Sequence, residues 1–359
     1  MASQTPDLVR SPDVLRDNDY YYPAGDTIIQ VENTLFKIHK FLLAHHSPVF
    51  ATMFALPVES DPEGAVDDLP IVLEGETAAN FRAVVKYIYA PPIQLQIQFM
   101  RMTDVPEMIS VAKFSHKYAM DHWKQWALRV LASRKLTDMK TMPTEHLAPL
   151  YSLFDLLEVH PERTQVMNRW CEVIEQNNFP IGPALAASET SGDRDALVAV
   201  YCIQIRRWEK DASISGLPDG VSSTHFQRML TGYTSLTLAW NQLRTREPSA
   251  NFQDTQCNGG ETAEAHAERC LPYSRQHWGD AIMSAEDVYP HITHLPSRLS
   301  HVAEHIRVHN RALHAKIKPT TATCFDAVIK RFAYHLQRTD TSLTNHFFRM
   351  CEALGPAAD

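Results

Sequence analysis

The amino-acid sequence predicts an α+β domain followed by an all-α region, and three observations carry this prediction. Short runs of β-branched and apolar residues between residues 27 and 38 are typical of strands. From His39 onward the apolar residues recur at helical spacing. Beyond Arg134 no strand pattern is found, and a chain of 359 residues has room for about two domains.

The first predicted elements form a β-hairpin. The strand at 27–31 (TIIQV) is followed by a turn at 32–33 and by a second strand at 35–38. A tight two-residue turn needs positive φ angles, which Asn33 can adopt. Residues 1–19 are polar and contain two prolines, so we expect a flexible tail before the hairpin.

Helices and one further strand follow the hairpin. After a short helical run from His39, Ser47 is placed to cap a helix that has Pro48 at its first position. The acidic, breaker-rich segment 57–68 predicts an exposed loop, and 71–73 predicts a short strand. Thr77 is placed to cap the next helix.

The domain then ends with a second group of helices. Residues 93–99 (IQLQIQF) alternate as a strand would, whereas helices are predicted from Asp104 and through Trp123. Beyond them, we predict helices at 145–158, 164–176, 194–211, 224–244, 261–269, 298–317 and 322–338, separated by loops at 177–193, 212–223 and 245–260.

Composition narrows the class of protein. Acidic residues number 42 and basic residues 34, a balance that disfavours a nucleic-acid surface. No stretch approaches the ~20 apolar residues that span a bilayer, and no signal peptide is recognisable. The six cysteines are scattered along the chain. They are typical of reduced thiols, and we expect a cytoplasmic or nuclear protein.

The segment from Asp26 to Phe54 resembles the signature of the BTB/POZ domain. Within it, a Phe-x-apolar-His-basic series is followed by a Leu pair, a serine, an aromatic residue and Met-Phe without a gap. The matching residues are Asp26, Phe36, Ile38, His39, Lys40, Leu42, Leu43, Ser47, Phe50, Met53 and Phe54, and later Tyr87, Ile88, Tyr89, Phe114, Lys117 and Tyr118.

The resemblance covers residues 20–133 and implies the BTB/POZ fold, a small sheet capped by helices. Residues 134–359 are then an all-α region, of which the first part is similar in placement to the BACK-type extension. The whole chain is similar to the expanded set of fungal BTB proteins, which have divergent helical C-terminal regions.

This resemblance implies a surface for self-association, since BTB domains commonly dimerise through their first helix. Phe41, Leu42 and His45 would lie near such an interface. Asp26 and Lys40 occupy the positions of a charged groove, although lysine lacks the bidentate fork of the arginine that is usual there. His39 belongs to the same segment, where a packing and capping role is the plainer interpretation.

Many BTB proteins act as substrate adaptors of cullin-RING ubiquitin ligases through an apolar-x-Glu motif. The chain has Pro57, Val58 and Glu59 at that place, with proline in the apolar position. We therefore keep a cullin as a candidate partner. A transcription-linked scaffold is the alternative, which is disfavoured because no zinc-finger array or basic segment follows the domain.

A metal-dependent activity in residues 257–314 is an alternative of another class. His301, His305 and His309 recur every four residues, whereas Cys257, His266, Cys270 and His277 lack the tight ligand pair of a structural zinc site. No nucleotide-binding or hydrolase motif is present.

The sequence therefore predicts a protein-interaction module and not an enzyme. We expect no catalytic residues, no cofactor and no metal. The expected partners are a second copy of the chain, a candidate cullin and an unidentified protein for the helical region, with no nucleic acid and no membrane.

Overall fold

A computed structural model describes residues 14–56, 63–91, 104–133, 143–214, 216–245, 271–314 and 339–354, together with a few isolated residues between these ranges. The chain divides into two compact units, Met1–Trp170 and Cys171–Asp359, each of which is considered by itself. No helix in the described ranges is long and apolar enough to cross a bilayer.

The first unit contains a small mixed sheet, which confirms the predicted α+β class. Its strands are β1 (Leu15–Tyr21), β2 (Thr27–Val31), β3 (Thr34–Ile38) and β4 (Ile71–Val72), in the order β1-β3-β2-β4. The predicted hairpin is confirmed because β2 and β3 pair antiparallel, with Val31 opposite Thr34. The two outer strands pair parallel to their neighbours.

The hairpin turn differs from the prediction in the residue that carries the positive φ. Glu32 has a φ of 52°, and Asn33 is not among the residues with positive φ. The physical reason lies outside the turn, since the Glu32 carboxylate accepts a hydrogen bond of 2.9 Å from the main-chain N of Ala78. This bond supplies an acceptor at a helix N-terminus and offsets the left-handed conformation of a non-glycine residue.

The assignment of residues 1–19 to a flexible tail is wrong from residue 15 onward, because β1 begins there. Its anchor is Asp17, whose buried carboxylate accepts hydrogen bonds from the main-chain N atoms of Asp19 (3.0 Å) and Tyr20 (2.9 Å). The same carboxylate accepts from Nε of Arg82 at 2.8 Å. The strand is polar because its contacts are largely ionic, and such a strand has no apolar alternation to detect.

Within its described residues, the part of the domain that resembles BTB also has five helices: α1 (Lys40–His46), α2 (Pro48–Phe54), α3 (Ala78–Ile88), α4 (Val105–Lys117) and α5 (Asp121–Ser133). Two predicted caps are confirmed. Ser47 Oγ accepts from the N of Phe50 at 3.1 Å, and Thr77 Oγ1 accepts from the N of Asn80 at 3.2 Å. The predicted strand at 93–99 lies outside the described residues.

In the described part of the chain after residue 143, all the regular secondary structure is helical. A 3-10 turn leads into α6 (Leu147–Leu156), and α7 (His160–Asn177) begins in the first unit and ends in the second. The second unit continues with α8 (Gly182–Thr190), α9 (Arg194–Asp211), α10 (Ser223–Thr245), α11 (Leu271–Val288), α12 (Leu295–His314) and α13 (Leu343–Leu354).

Three of these helices were not predicted. Helix α8 lies in the segment 177–193 that was assigned to a loop, because its small residues give no apolar stripe. Helices α11 and α13 were also missed. By contrast, α9 has the predicted bounds. The predicted helix at 261–269 and most of that at 322–338 lie outside the described residues.

Helix α13 packs on α10 through an aromatic side chain. Phe347 is fully buried and lies 5.4 Å from Tyr201 between ring centroids. The facing position on α10 is Gly232, where a Cβ atom would lie 2.2 Å from two ring carbons of Phe347. The absence of a side chain at Gly232 is therefore what admits this ring.

Candidate interaction surface

Helix α1 presents an exposed aromatic pair to solvent. Phe41 is 70% exposed and stacks on the imidazole of His45, with ring centroids 5.6 Å apart and planes at 21°. Leu42 beside them is half-buried, whereas Leu43 points into the core and is 1% exposed. We call Phe41, Leu42 and His45 the α1 face. Three predicted interface residues are thus together on one helix and accessible.

Rings from α5 and α3 support the α1 face from beneath. His45 contacts His46 (5.0 Å between centroids), His46 contacts Trp123 (5.6 Å), and Trp123 contacts Trp126 (5.6 Å). Trp126 in turn lies 4.8 Å from the buried ring of Tyr87. Burial, and then the neighbouring imidazoles, lower the pKa of His46, so that it packs as a neutral ring.

This supporting series of rings was not predicted from the sequence. Tryptophans at helical spacing indicate core packing in general, and the position of Trp123 within its own helix does not reveal that α5 lies against α1. The contacts create a surface whose base is packed before any partner binds, which lowers the ordering cost of association.

Asp26 and Lys40 are brought together, but through the main chain. Asp26 Oδ1 accepts a hydrogen bond of 2.6 Å from the N of Lys40, the first residue of α1. Among the described residues no ion pair joins the two side chains, and Lys40 Nζ lies 5.9 Å from the ring centroid of Phe54. The first N–H groups of a helix need acceptors, and a carboxylate is favoured there. A role of the pair in an interface stays a prediction.

His39 occupies the N-cap position of α1, yet its side chain makes no capping hydrogen bond. Its main-chain N donates to the hydroxyl of Tyr89 at 2.9 Å, and its ring Nδ1 lies 2.8 Å from the same oxygen. Because that hydroxyl accepts from the main chain, its own hydrogen is available to the ring nitrogen. Tyr22 stacks on Tyr89 at 5.0 Å. Through these two contacts with Tyr89, His39 connects the start of α1 to the C-terminal end of α3.

The predicted cullin-contact residues Pro57, Val58 and Glu59 lie outside the described residues. Their role stays a prediction.

Histidines of the second unit contact neighbouring polar and aromatic side chains. The rings of His277 and His309 lie 3.6 Å apart between centroids, with their planes tilted by 40°, and His301 Nε2 lies 2.9 Å from the hydroxyl of Ser284. Burial is the main cause that lowers the pKa of His277 and of His309. Within the ranges that the structure describes, no three His, Cys, Asp or Glu side chains are placed to hold a metal ion.

The metal alternative gains no support from these contacts. His305 lies 6.3 Å from His301 between ring centroids. The other residues of the predicted Cys/His set, Cys257, His266 and Cys270, lie outside the described residues.

Comparison with known protein families agrees with the geometry of the first unit. The family model for the BTB/POZ domain matches residues 22–132. This match confirms the resemblance that was based on Asp26 to Phe54. No curated protein matches the chain.

Proposed function

We propose that this chain self-associates through the α1 face, since residues 22–132 form a BTB/POZ domain, a class of domain that supports protein–protein interaction. The observation that carries the proposal is the exposure of Phe41, a large aromatic ring set on a packed base. Residues of this type at a supported position are typical anchors of protein interfaces.

The size of the expected effect follows from the area of the ring. A phenylalanine buries about 200 Å² in a core, so the exposed part of Phe41 offers about 140 Å² for burial. At about 25 cal/mol per Å² this area contributes at most about 3.5 kcal/mol per copy. A twofold axis uses the same surface on both chains. The loss of both rings is therefore comparable with the free energy of a micromolar dimer, about 8 kcal/mol.

Replacement of Phe41 by aspartate is expected to convert a dimer into a monomer. The change removes the ring from each copy and places two carboxylates at the interface, which we expect to weaken association by about a hundredfold or more. Sedimentation equilibrium of the full chain at micromolar concentration measures this shift. Phe41 is a better position than Leu42 for testing the interface, because Leu42 is half-buried and its replacement would also disturb packing.

The matched control is Leu238→Asp, which changes an exposed apolar residue of a helix in the second unit. It should leave the mass unchanged. A wild-type chain that is strictly monomeric at micromolar concentration would refute the proposal, and so would a Phe41→Asp variant that dimerises as well as the wild type.

We further propose an adaptor role in which the domain binds a cullin and the helical region carries a second protein. Support comes from the arrangement of the chain, in which a BTB/POZ domain is followed by a compact helical unit of its own. The full chain should then retain the purified N-terminal domain of a cullin in a pull-down. Glu59→Lys should reduce retention, whereas Glu63→Lys should not. Failure of the purified wild-type components to associate would remove the cullin from the proposal.

A further inference from the structure

Three imidazoles lie in or beside the α1 face. His45 belongs to it, exposed and stacked on Phe41. His46 follows in the chain, with its ring centroid 5.0 Å from that of His45. Burial lowers the pKa of His46, and the charges of His45 and of His122, an exposed residue of α5, lower it further. Because an unperturbed imidazole gains a proton near pH 6.5, the charge of this surface changes with pH.

The carboxylates next to these rings already have partners. At the start of α1, Asp26 accepts a hydrogen bond of 2.6 Å from the main-chain N of Lys40. On α5, Asp121 precedes His122 in the chain and accepts a hydrogen bond of 2.7 Å from Nζ of Lys124. Within the described residues, none of the three imidazoles takes part in an ion pair. A proton that they gain therefore adds positive charge to the surface.

The other helices of the domain add no unpaired carboxylate. Helix α2 has no ionisable side chain, and α3 has no acidic residue. Glu107 is the acidic residue of α4, and it accepts a hydrogen bond of 2.6 Å from Nζ of Lys86. The basic residues of α3 and α4 are Arg82, Lys86, Lys113, His116 and Lys117. The balance of charge on these helices is therefore positive, like that of a protonated α1 face.

We infer that self-association through the α1 face weakens in mild acid, an inference that rests on the proposed function. Across a twofold axis the same surface of each copy meets its counterpart, so that His45 of both copies enters one interface. A neutral imidazole stacked on Phe41 suits an apolar interface. Two imidazolium ions would lose hydration there and repel each other.

Proton linkage gives the direction and the size of the effect. Lower pH favours the state that binds more protons, which is the separated chain if the dimer holds both His45 rings neutral. For an imidazole with a pKa of about 6.5, a fall from pH 7.5 to pH 5.5 weakens association by about tenfold for each ring, or about a hundredfold for two. The charge of the whole chain acts in the opposite direction, because a net charge of −8 at pH 7 becomes smaller as protons are gained.

Sedimentation equilibrium of the full chain at pH 7.5 and pH 5.5 tests the inference. The dissociation constant of the wild-type dimer should rise by about tenfold or more at the lower pH. His45→Gln keeps a polar side chain that does not titrate in this range, and its constant should be nearly the same at both pH values. Where His45→Gln itself weakens the dimer, His45→Phe provides a second side chain without a titrating group. The matched control is His160→Gln, at an exposed position of α7, which should keep the pH dependence of the wild type.

The possible outcomes separate this inference from the proposed function. A wild-type dimer that is equally strong or stronger at pH 5.5 would overturn the inference and leave the dimer in place. A pH dependence that persists in both His45→Gln and His45→Phe would overturn it as well. Far-UV circular dichroism of Phe41→Asp should be the same at both pH values, and a loss of helix at pH 5.5 would assign the change to unfolding and so contradict the inference. A wild type that is monomeric at pH 7.5 would refute the proposed function and the inference together.

Discussion

Replacement of Gly232 by alanine is expected to lower the free energy of unfolding of the second unit by about 2 kcal/mol. The added Cβ would lie 2.2 Å from Cδ1 and Cε1 of Phe347, and a buried ring of α13 cannot give way without losing its packing. Overpacking of a filled core costs about 1–3 kcal/mol, and expulsion of a buried phenylalanine costs about 3–5 kcal/mol. The better helix propensity of alanine offsets only about 1 kcal/mol.

The same chain supplies the control. Gly279 lies in α11, and a Cβ there meets no atom within 4 Å, so Gly279→Ala should be neutral or stabilising by up to about 1 kcal/mol. Urea unfolding followed by tryptophan fluorescence measures both changes. A Gly232→Ala variant as stable as Gly279→Ala would show that α13 does not pack on α10 through Phe347.

A double-mutant cycle connects the loss to that one contact. Phe347→Leu removes part of the ring that the new Cβ would meet, and so the double variant Gly232→Ala/Phe347→Leu should lose less stability than the sum of the two single variants. The coupling between contacting residues is typically about 0.5–3 kcal/mol. Strict additivity would contradict the proposed contact.

Elements with a local signal were predictable from the sequence. Ser47 and Thr77 cap their helices as predicted because a cap needs only a hydroxyl and the next turn of backbone. The hairpin of β2 and β3 is set by neighbours in the chain. The match of α9 to its predicted bounds has the same origin, because Asp193 caps that helix by accepting from the N of Ala196.

Features that depend on distant residues were not predictable. Strand β1 was missed because its anchor, Asp17, is satisfied by Arg82 from α3. The positive φ at Glu32 depends on a contact with Ala78. Helix α8 was missed because its small residues give no apolar periodicity, although several of them are buried in the fold. In each case the stabilising partner lies in another element, and the local sequence pattern does not show which distant residue makes that contact.

In the candidate interaction surface, too, the local features were predictable and the contacts between distant elements were not. Phe41, Leu42 and His45 were predicted together because they share one helix and one family resemblance, and the structure places them on one face. The contact of His46 with Trp123 beneath that face was not predictable, because it joins two helices that lie far apart in the chain.

The largest loss of stability in the first unit is expected from a substitution in the aromatic cluster around Phe50 of α2. Phe50 is fully buried, stacks on Tyr118 with centroids 4.8 Å apart, and lies 5.9 Å from Phe54 and 6.4 Å from Phe114. Phe50→Ala should therefore cost about 3–5 kcal/mol. Phe41→Ala changes the same residue type at a 70% exposed position and should cost less than about 1 kcal/mol.

Together the two variants separate folding from association. At a protein concentration where the wild type is monomeric, thermal unfolding should show a large loss for Phe50→Ala and almost none for Phe41→Ala, because association then adds nothing to stability. Phe50→Leu provides a milder change where the alanine variant does not fold. Sedimentation at higher concentration should show a weaker dimer for Phe41→Ala. If Phe41→Ala destabilised the fold as strongly as Phe50→Ala, then the α1 face would be part of the core of the domain, and its loss of dimer would follow from unfolding and not from a lost interface.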